Sequence, residues 1–437
     1  MSAPLERERP AGEQGRISRR SLLGGGAVAA GSALAGGVAG HALGASSARA
    51  ASGGSAPADG PGGGAASPAG VARPAFALNG ASKEPFHGPH QAGILTGQQA
   101  HGSFVGLTLT PGAGREQVRT LLRMLNDDAA RLTQGAAPLA ALEDDIARLP
   151  ARLTVTFGFG KGLFAAIGKP QALPPELATL PAFSTDKLQP RWGQTDLVLQ
   201  ICSEEPVALS YAQRRLVRDA AAFARVAWVQ SGFVNSVGTE APGTTPRNLM
   251  GMRDGTANES DPGAAAQVVW CTDPAYPWLV GGSHLVIRRM AIDLPVWDDL
   301  EVEAKEEAFG RRLADGSPLT GHAEKDPVDR LAKDAKGFPI INPGAHAARA
   351  QARTADERLI RRAYNYDVGL TPDGKPDAGL IFVCYQRDVT KAFIPVQRRL
   401  AESDLLNIWA HHIGSASYAV PPGAAPGEYV GQGLLES

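Results

Sequence analysis

The run Thr245-Pro246-Arg247-Asn248-Leu249-Met250-Gly251-Met252-Arg253-Asp254-Gly255-Thr256-Ala257 sets an acid in a turn flanked by glycines. Glycine on each side lets the backbone approach a ligand closely. Asp-Gly is also a common surface turn, so pattern alone leaves a plain loop open as a second reading. A second run, Asn342-Pro343-Gly344-Ala345-His346, is followed by Arg353 and then by Arg361-Arg362-Ala363-Tyr364-Asn365-Tyr366. An imidazole can hold a metal through one ring nitrogen, but a lone histidine is more often an ordinary structural or surface residue.

These runs need a scaffold, and hydrophobic periodicity outlines one. Residues 103–110 alternate as a half-buried strand, and Val118, Leu121, Leu122, Leu125, Ala129 and Leu132 recur at helical spacing. Strands follow at 153–158 and 196–202, a helix at 211–223 and a strand at 225–229. The second part repeats the rhythm: a strand from His284 whose alternation slips at Arg288-Arg289, as at a bulge; a charged helix at 297–311; a long polar stretch to Asp356; strands at 363–368 and 378–385; and a helix at 391–400. The segments ending in Cys202 and Cys384 look like counterparts, which makes both cysteines core residues. The expected class is α+β, two βαββαβ halves with antiparallel sheets and helices on one face, spanning 76–235 and 236–437.

The first fifty residues read as an export address. Ser18-Arg19-Arg20-Ser21-Leu22-Leu23 precedes a soft Ala/Gly/Leu/Val run, and Ala48-Arg49-Ala50 has the form of a cleavage site. A twin-arginine signal over 1–50 is expected, with export to the periplasm or beyond; the glycine-rich run makes a poor stable membrane anchor. That route carries folded proteins, often with a cofactor already inserted. Residues 51–75, almost wholly Ala, Ser, Gly and Pro, read as a disordered linker.

Composition excludes several classes. With 43 Lys plus Arg against 44 Asp plus Glu, the formal charge is −1, without the basic excess of a nucleic-acid binder. Three cysteines make no disulfide scaffold, and neither CxxC nor CxxCH occurs.

Together the motifs resemble the dye-decolorising peroxidases, a haem b family, and above all the exported deferrochelatase/peroxidase branch that accompanies bacterial iron-uptake systems. The family's GxxDG stands here as Gly251-Met252-Arg253-Asp254-Gly255, inside the TPRNLMG run of that branch; its RRGYxY stands as Arg361-Arg362-Ala363-Tyr364-Asn365-Tyr366. Leu380-Ile381-Phe382-Val383-Cys384-Tyr385-Gln386, His90-Gln91-Ala92-Gly93-Ile94 and Gly281-Gly282-Ser283 fit as well. Three departures fall near the expected cofactor: Ala348 stands where the family usually has arginine, with Arg349 one residue on; the spacing from His346 to Arg361 is about three residues shorter than in that branch; and Ala363 replaces the glycine of RRGY.

The resemblance implies two ferredoxin-like halves with haem b (iron protoporphyrin IX) in the C-terminal one. It implies His346 as the metal ligand, Gly255, Thr256, Ala257, Arg353 and Arg361 beside the cofactor, and Asp254 and Arg361 as the catalytic pair. Asp254 would move the proton of hydrogen peroxide and Arg361 would stabilise the charge of O–O cleavage. The ring nitrogen of His346 turned away from iron needs an acceptor, for which Asp388 is the candidate. The implied function is a peroxidase that reduces hydrogen peroxide and oxidises dyes, phenols or other organic donors. Electrons would pass through surface-reaching aromatics, with Trp409 and Tyr418 among the candidates. Release of iron from haem, as by a deferrochelatase, or export as a haem-binding protein are the alternatives. Iron-uptake partner proteins and a homo-oligomer are compatible with all three.

Overall fold

The computed structural model describes residues 78–437; the expected signal at 1–50 and linker at 51–75 lie outside the described residues. The first four strands are β1 (His101–Leu109), β2 (Thr154–Phe159), β3 (Leu197–Ser203) and β4 (Ala224–Phe233). The helix Arg115–Thr133 crosses from β1 to β2, and Pro206–Ala220 from β3 to β4. β1 pairs antiparallel with both β3 and β4, and β3 with β2, so the spatial order is β4-β1-β3-β2. The second helix starts at Pro206, earlier than the periodicity at 211–223 suggests, because Glu205 caps it by accepting from the Ala208 N–H at 2.6 Å.

The other strands are β5 (Ser283–Ile292), β6 (Ile360–Arg361), β7 (Tyr364–Leu370), β8 (Pro376–Gln386) and β9 (Ala410–Val420). β5 lies between β8 and β9, and β7 borders β8, giving β7-β8-β5-β9. Both halves therefore have ferredoxin-like strand order, and the fold is α+β. The slip in β5 is real and falls between Arg289 and Met290. The charged segment is two short helices, Leu294–Asp298 and Val302–Phe309, in place of the single one expected at 297–311.

The two sheets join at their edges through Phe159↔Ala419 and Phe233↔Asn365, so the strands close into a ring. Alternation along each strand then serves two cores. Phe104, Val198, Leu285, Ile287, Tyr364, Tyr366, Val383, Tyr385 and Tyr418 fill the space between the sheets. Val105, Leu197, Leu199, Val286 and Cys384 face the helices, where Leu121, Leu122, Leu125 and Leu132 meet them. Each such buried aliphatic side chain contributes about 1.5–3 kcal/mol relative to exposure. Cys202, Cys271 and Cys384 are buried free thiols, so Cys202 and Cys384 are core residues. Among the described residues no helix is long and apolar enough to cross a membrane.

Candidate active site

His346 opens the short helix Ala345-capped His346–Ala350. The turn before it is held twice: Gly344 N–H donates to Asn342 Oδ1 at 2.9 Å, and Leu405 N–H donates to the Gly344 carbonyl at 2.9 Å. The second bond brings Asp404 to the histidine. His346 Nδ1 lies 2.6 Å from Asp404 Oδ2, and the other Asp404 oxygen accepts from the Leu406 N–H at 3.0 Å. The Asp404 side chain is only 4% exposed. With Nδ1–H donating to this carboxylate, the imidazole is locked in the tautomer whose Nε2 carries a free lone pair. Burial alone would lower the histidine's pKa; the charge and hydrogen bond of Asp404 outweigh it and raise the value above the ordinary one.

Asp388 is not the acceptor. It accepts from Thr390 Oγ1 at 2.6 Å, Thr390 N–H at 2.9 Å and Lys391 N–H at 3.2 Å, capping the turn that leads into the helix Phe393–Ser403. It lines a separate cleft of about 560 Å³ with Glu176, Cys271 and His284. Asp388 and Asp404 are both acids ahead of a helical turn, and only the chain path tells them apart.

Asp254 sits where expected in its turn. Gly251 has φ +86° and Gly255 φ +125°, values at which a side chain would be strained, so both glycines are required by the backbone itself. Asp254 N–H donates to the Pro246 carbonyl at 2.8 Å. Arg361 occupies β6, paired with Cys384 of β8. Its Nη1 lies 3.6 Å from Asp254 Oδ1. That is an ion pair too long for a direct hydrogen bond, so each group has bonding capacity left for a third partner. Their side chains keep 22% and 18% of their surface open. The neighbouring Arg362 points the opposite way, its Nη1 donating to the Thr96 carbonyl at 2.5 Å and its Nη2 to Gln99 Oε1. Strand alternation thus sends one of two adjacent arginines to the site and the other into the core.

The remaining predicted residues divide. Thr256 Oγ1 donates to Glu324 Oε1 at 2.8 Å, and Ala257 is exposed. Arg353 is exposed; its backbone N–H donates to Glu357 at 2.9 Å and its guanidinium makes no hydrogen bond among the described residues. Arg349 is taken up by the Arg399 carbonyl and Glu402, each at 2.8 Å.

The two groups of residues are near enough for their charges to act on one another. His346 is half-buried, with 31% of its side chain open, and the charges of Arg361 and Asp254 both act on it. Phe309 stands edge-on to the imidazole, ring centres 6.5 Å apart. Among the described residues no cluster of three or more His, Cys, Asp or Glu side chains could hold a metal ion. A lone histidine holds iron only when another molecule supplies the other ligands, which is what a porphyrin does. The residues present fit haem.

Comparison with known proteins agrees. The Dyp-type peroxidase N-terminal model matches residues 91–234 and the Dyp-type peroxidase C-terminal model residues 245–425. The chain belongs to the Dyp-type peroxidase family. It is an oxidoreductase, a haem peroxidase. It is 41% identical over 336 residues to a dye-decolorizing peroxidase of Thermobifida fusca, covering 75% of this chain and 77% of that one. It is 34% identical over 375 residues to a deferrochelatase of Escherichia coli K12, covering 81% and 87%. The crystal structure of a DyP-type peroxidase from Cellulomonas bogoriensis matches with TM-score 0.80 at 46% identity, over 83% of this chain and all of that one. Ferric DtpA from Streptomyces lividans matches with TM-score 0.79 at 40% identity over the same shares. The residue that sequence reasoning missed, Asp404, had one usable signal: it is an acid just before a short helical turn, a capping position.

Proposed function

We propose that this peroxidase binds haem b in its C-terminal half through His346 Nε2 and uses hydrogen peroxide to oxidise dyes, phenols or related organic donors. Gly255, Thr256 and Ala257 would border the haem on the Asp254 side, with Arg353 free to meet a propionate. The observation that carries the reading is a partly open, carboxylate-held histidine on which the charges of a partly open carboxylate–guanidinium pair act. Bound haem would supply the two electrons that peroxide takes up, one from the iron and one from the porphyrin.

The chain's own residues do the rest. Asp404 keeps Nδ1 protonated and Nε2 available. Asp254, as carboxylate, takes the proton from the near oxygen of peroxide and returns it to the far oxygen, which leaves as water. Arg361, charged at every working pH, faces the negative charge that grows on the departing oxygen. A carboxylate must be ionised for this work while donors are oxidised more easily in acid, so activity is expected to peak at acidic pH.

Release of iron from haem is a second reading, favoured by the 34% identity to a protein named deferrochelatase; it needs His346 but not Asp254 and Arg361 as catalysts. The twin-arginine motif supports export to the periplasm or beyond, with the haem inserted beforehand. The test is an absorption spectrum before and after one equivalent of peroxide. A Soret band lost in His346→Ala, and a peroxide-driven change lost in Asp254→Asn and Arg361→Leu, is the expected result. Haem without any peroxide response would move the assignment to iron release or transport.

A further inference from the structure

We propose that Asn258 is the positioning residue of the Asp254–Arg361 pair. Its side-chain amide clasps the Arg361 peptide at both polar atoms: Oδ1 accepts from Arg361 N–H at 2.9 Å, and Nδ2 donates to the Arg361 carbonyl at 2.7 Å. This is the pattern a neighbouring strand would make, supplied by one side chain. β6 needs it. The strand is two residues long and is paired with β8 through Ile360↔Tyr385 and Arg361↔Cys384. Just beyond it Arg362 N–H donates to the Val383 carbonyl of β8 at 2.8 Å, so β8 holds one edge of Arg361 and the clasp holds the other.

The same residue belongs to the turn that carries the acid. Asn258 N–H donates to the Gly255 carbonyl at 2.8 Å, closing the turn at which Gly255 reverses the chain with φ +125°. Asp254 is fixed from the other side by its bond to Pro246. The acid-bearing turn and the arginine-bearing strand are therefore joined backbone to backbone through one amide, and the 3.6 Å between carboxylate and guanidinium is set by that join. Asparagine suits the task because its side chain holds a donor and an acceptor in one plane, spaced as in a peptide. Aspartate when ionised has no donor, and alanine has neither. Asn258 makes no bond to His346 or Asp404, so the histidine's hold does not depend on it. The inference rests on the reading of Asp254 and Arg361 as the catalytic pair.

The test uses Asn258→Ala and Asn258→Asp in the full chain, loaded with haem and again without it. In Asn258→Ala, amide exchange at Arg361 is expected to accelerate tenfold or more, while exchange in His346–Ala350, haem content and the resting spectrum stay as in wild type. The second-order rate constant with hydrogen peroxide is expected to fall by about tenfold to a hundredfold, the scale of an ångström-sized misplacement. Asn258→Asp adds a readout that a merely structural role would not move. Protonated, its carboxyl keeps one donor and one acceptor, so the rate approaches wild type in acid. As it ionises, among Arg361, Asp254 and the Glu259–Arg358 pair (3.4 Å apart), the donor is lost and the rate ratio to wild type falls with rising pH. Faster exchange with an unchanged peroxide rate overturns the proposal, as does unchanged exchange, a loss that simply follows haem content, or an Asn258→Asp ratio flat with pH. If Asn258→Ala does not fold, the aspartate variant in acid carries the test. Arg361→Leu run alongside keeps the two levels apart: normal turnover there removes the pair from catalysis, and this proposal with it, whatever the exchange shows.

Discussion

Replacing Asp404 by asparagine should separate haem retention from folding. Asp404 serves two donors with two oxygens, His346 Nδ1 at 2.6 Å and Leu406 N–H at 3.0 Å, in a position 4% exposed. Asparagine has one acceptor oxygen. Turned toward Leu406, its NH₂ meets Nδ1, and the imidazole relieves the clash by taking the other tautomer, with Nε2 protonated and unable to ligate iron. Turned toward His346, it leaves a buried Leu406 N–H facing an NH₂, at a cost of about 1–3 kcal/mol. Either orientation weakens the ligand, and loss of such an outer partner typically lowers metal-site affinity about 10–100-fold. That corresponds to about 1.4–2.7 kcal/mol. The assay is haem transfer to a scavenging apoglobin, followed at the Soret band, for wild type, Asp404→Asn and Asp388→Asn. The expected order is faster loss from Asp404→Asn by one to two decades and wild-type behaviour from Asp388→Asn, whose bonds go to its own turn. Equal loss rates for wild type and Asp404→Asn, or a faster loss from Asp388→Asn alone, would refute the reasoning.

Asp254→Asn and Arg361→Leu should each lower the rate constant with peroxide about 10²–10³-fold, the usual scale for one general base or one preorganised charge, while leaving the Soret intensity unchanged; stopped-flow mixing checks this. Asp128, buried on the first long helix, is pushed up to about 7 by burial, then by the hydrogen bond and charge of Asp219 and by Asp127, against Arg215. A carboxyl raised in the folded state stabilises the fold fully below its ordinary value of 3.8 and loses that contribution as pH rises through about 7. Asp128→Asn should therefore lose less thermal stability than wild type between pH 5 and pH 8, by about 2–4 °C in Tm; identical slopes in calorimetry would count against the raised value. Trp409 is half-buried and stands 5.2 Å from Trp297, which lies 5.5 Å from Phe309, the neighbour of His346. Trp409→Phe is expected to slow oxidation of bulky dyes and to spare small donors, whereas equal loss on both would rule this route out.

Local pattern carried much of this protein. Apolar runs marked β3 and β8 because each buries both faces, one toward the ring of strands and one toward helices, whereas β1, whose alternation suggests a half-buried strand, is buried on both faces as well. The glycines beside Asp254 declared a turn because their φ values admit little else. The pair of Asp254 and Arg361 came from the family motifs GxxDG and RRGYxY, and the structure brings the two within 3.6 Å. Other features depend on where distant segments end up. β9 was missed, although it closes the ring between β5 and β2, because its His411-His412 and serine content blurs the apolar signal that tertiary burial makes unnecessary. The choice between Asp388 and Asp404 could not be made along the chain: both precede helical turns and both cap them, but the Leu405–Gly344 bond puts only Asp404 against His346. Nor could the clasp of Asn258 on Arg361 be read ahead of the fold, since a side chain standing in for a strand leaves no periodicity behind. Residue type and spacing specify what a segment can do within its own few turns; which groups meet at the site is set by long-range hydrogen bonds, and these exist only once the sheets have closed.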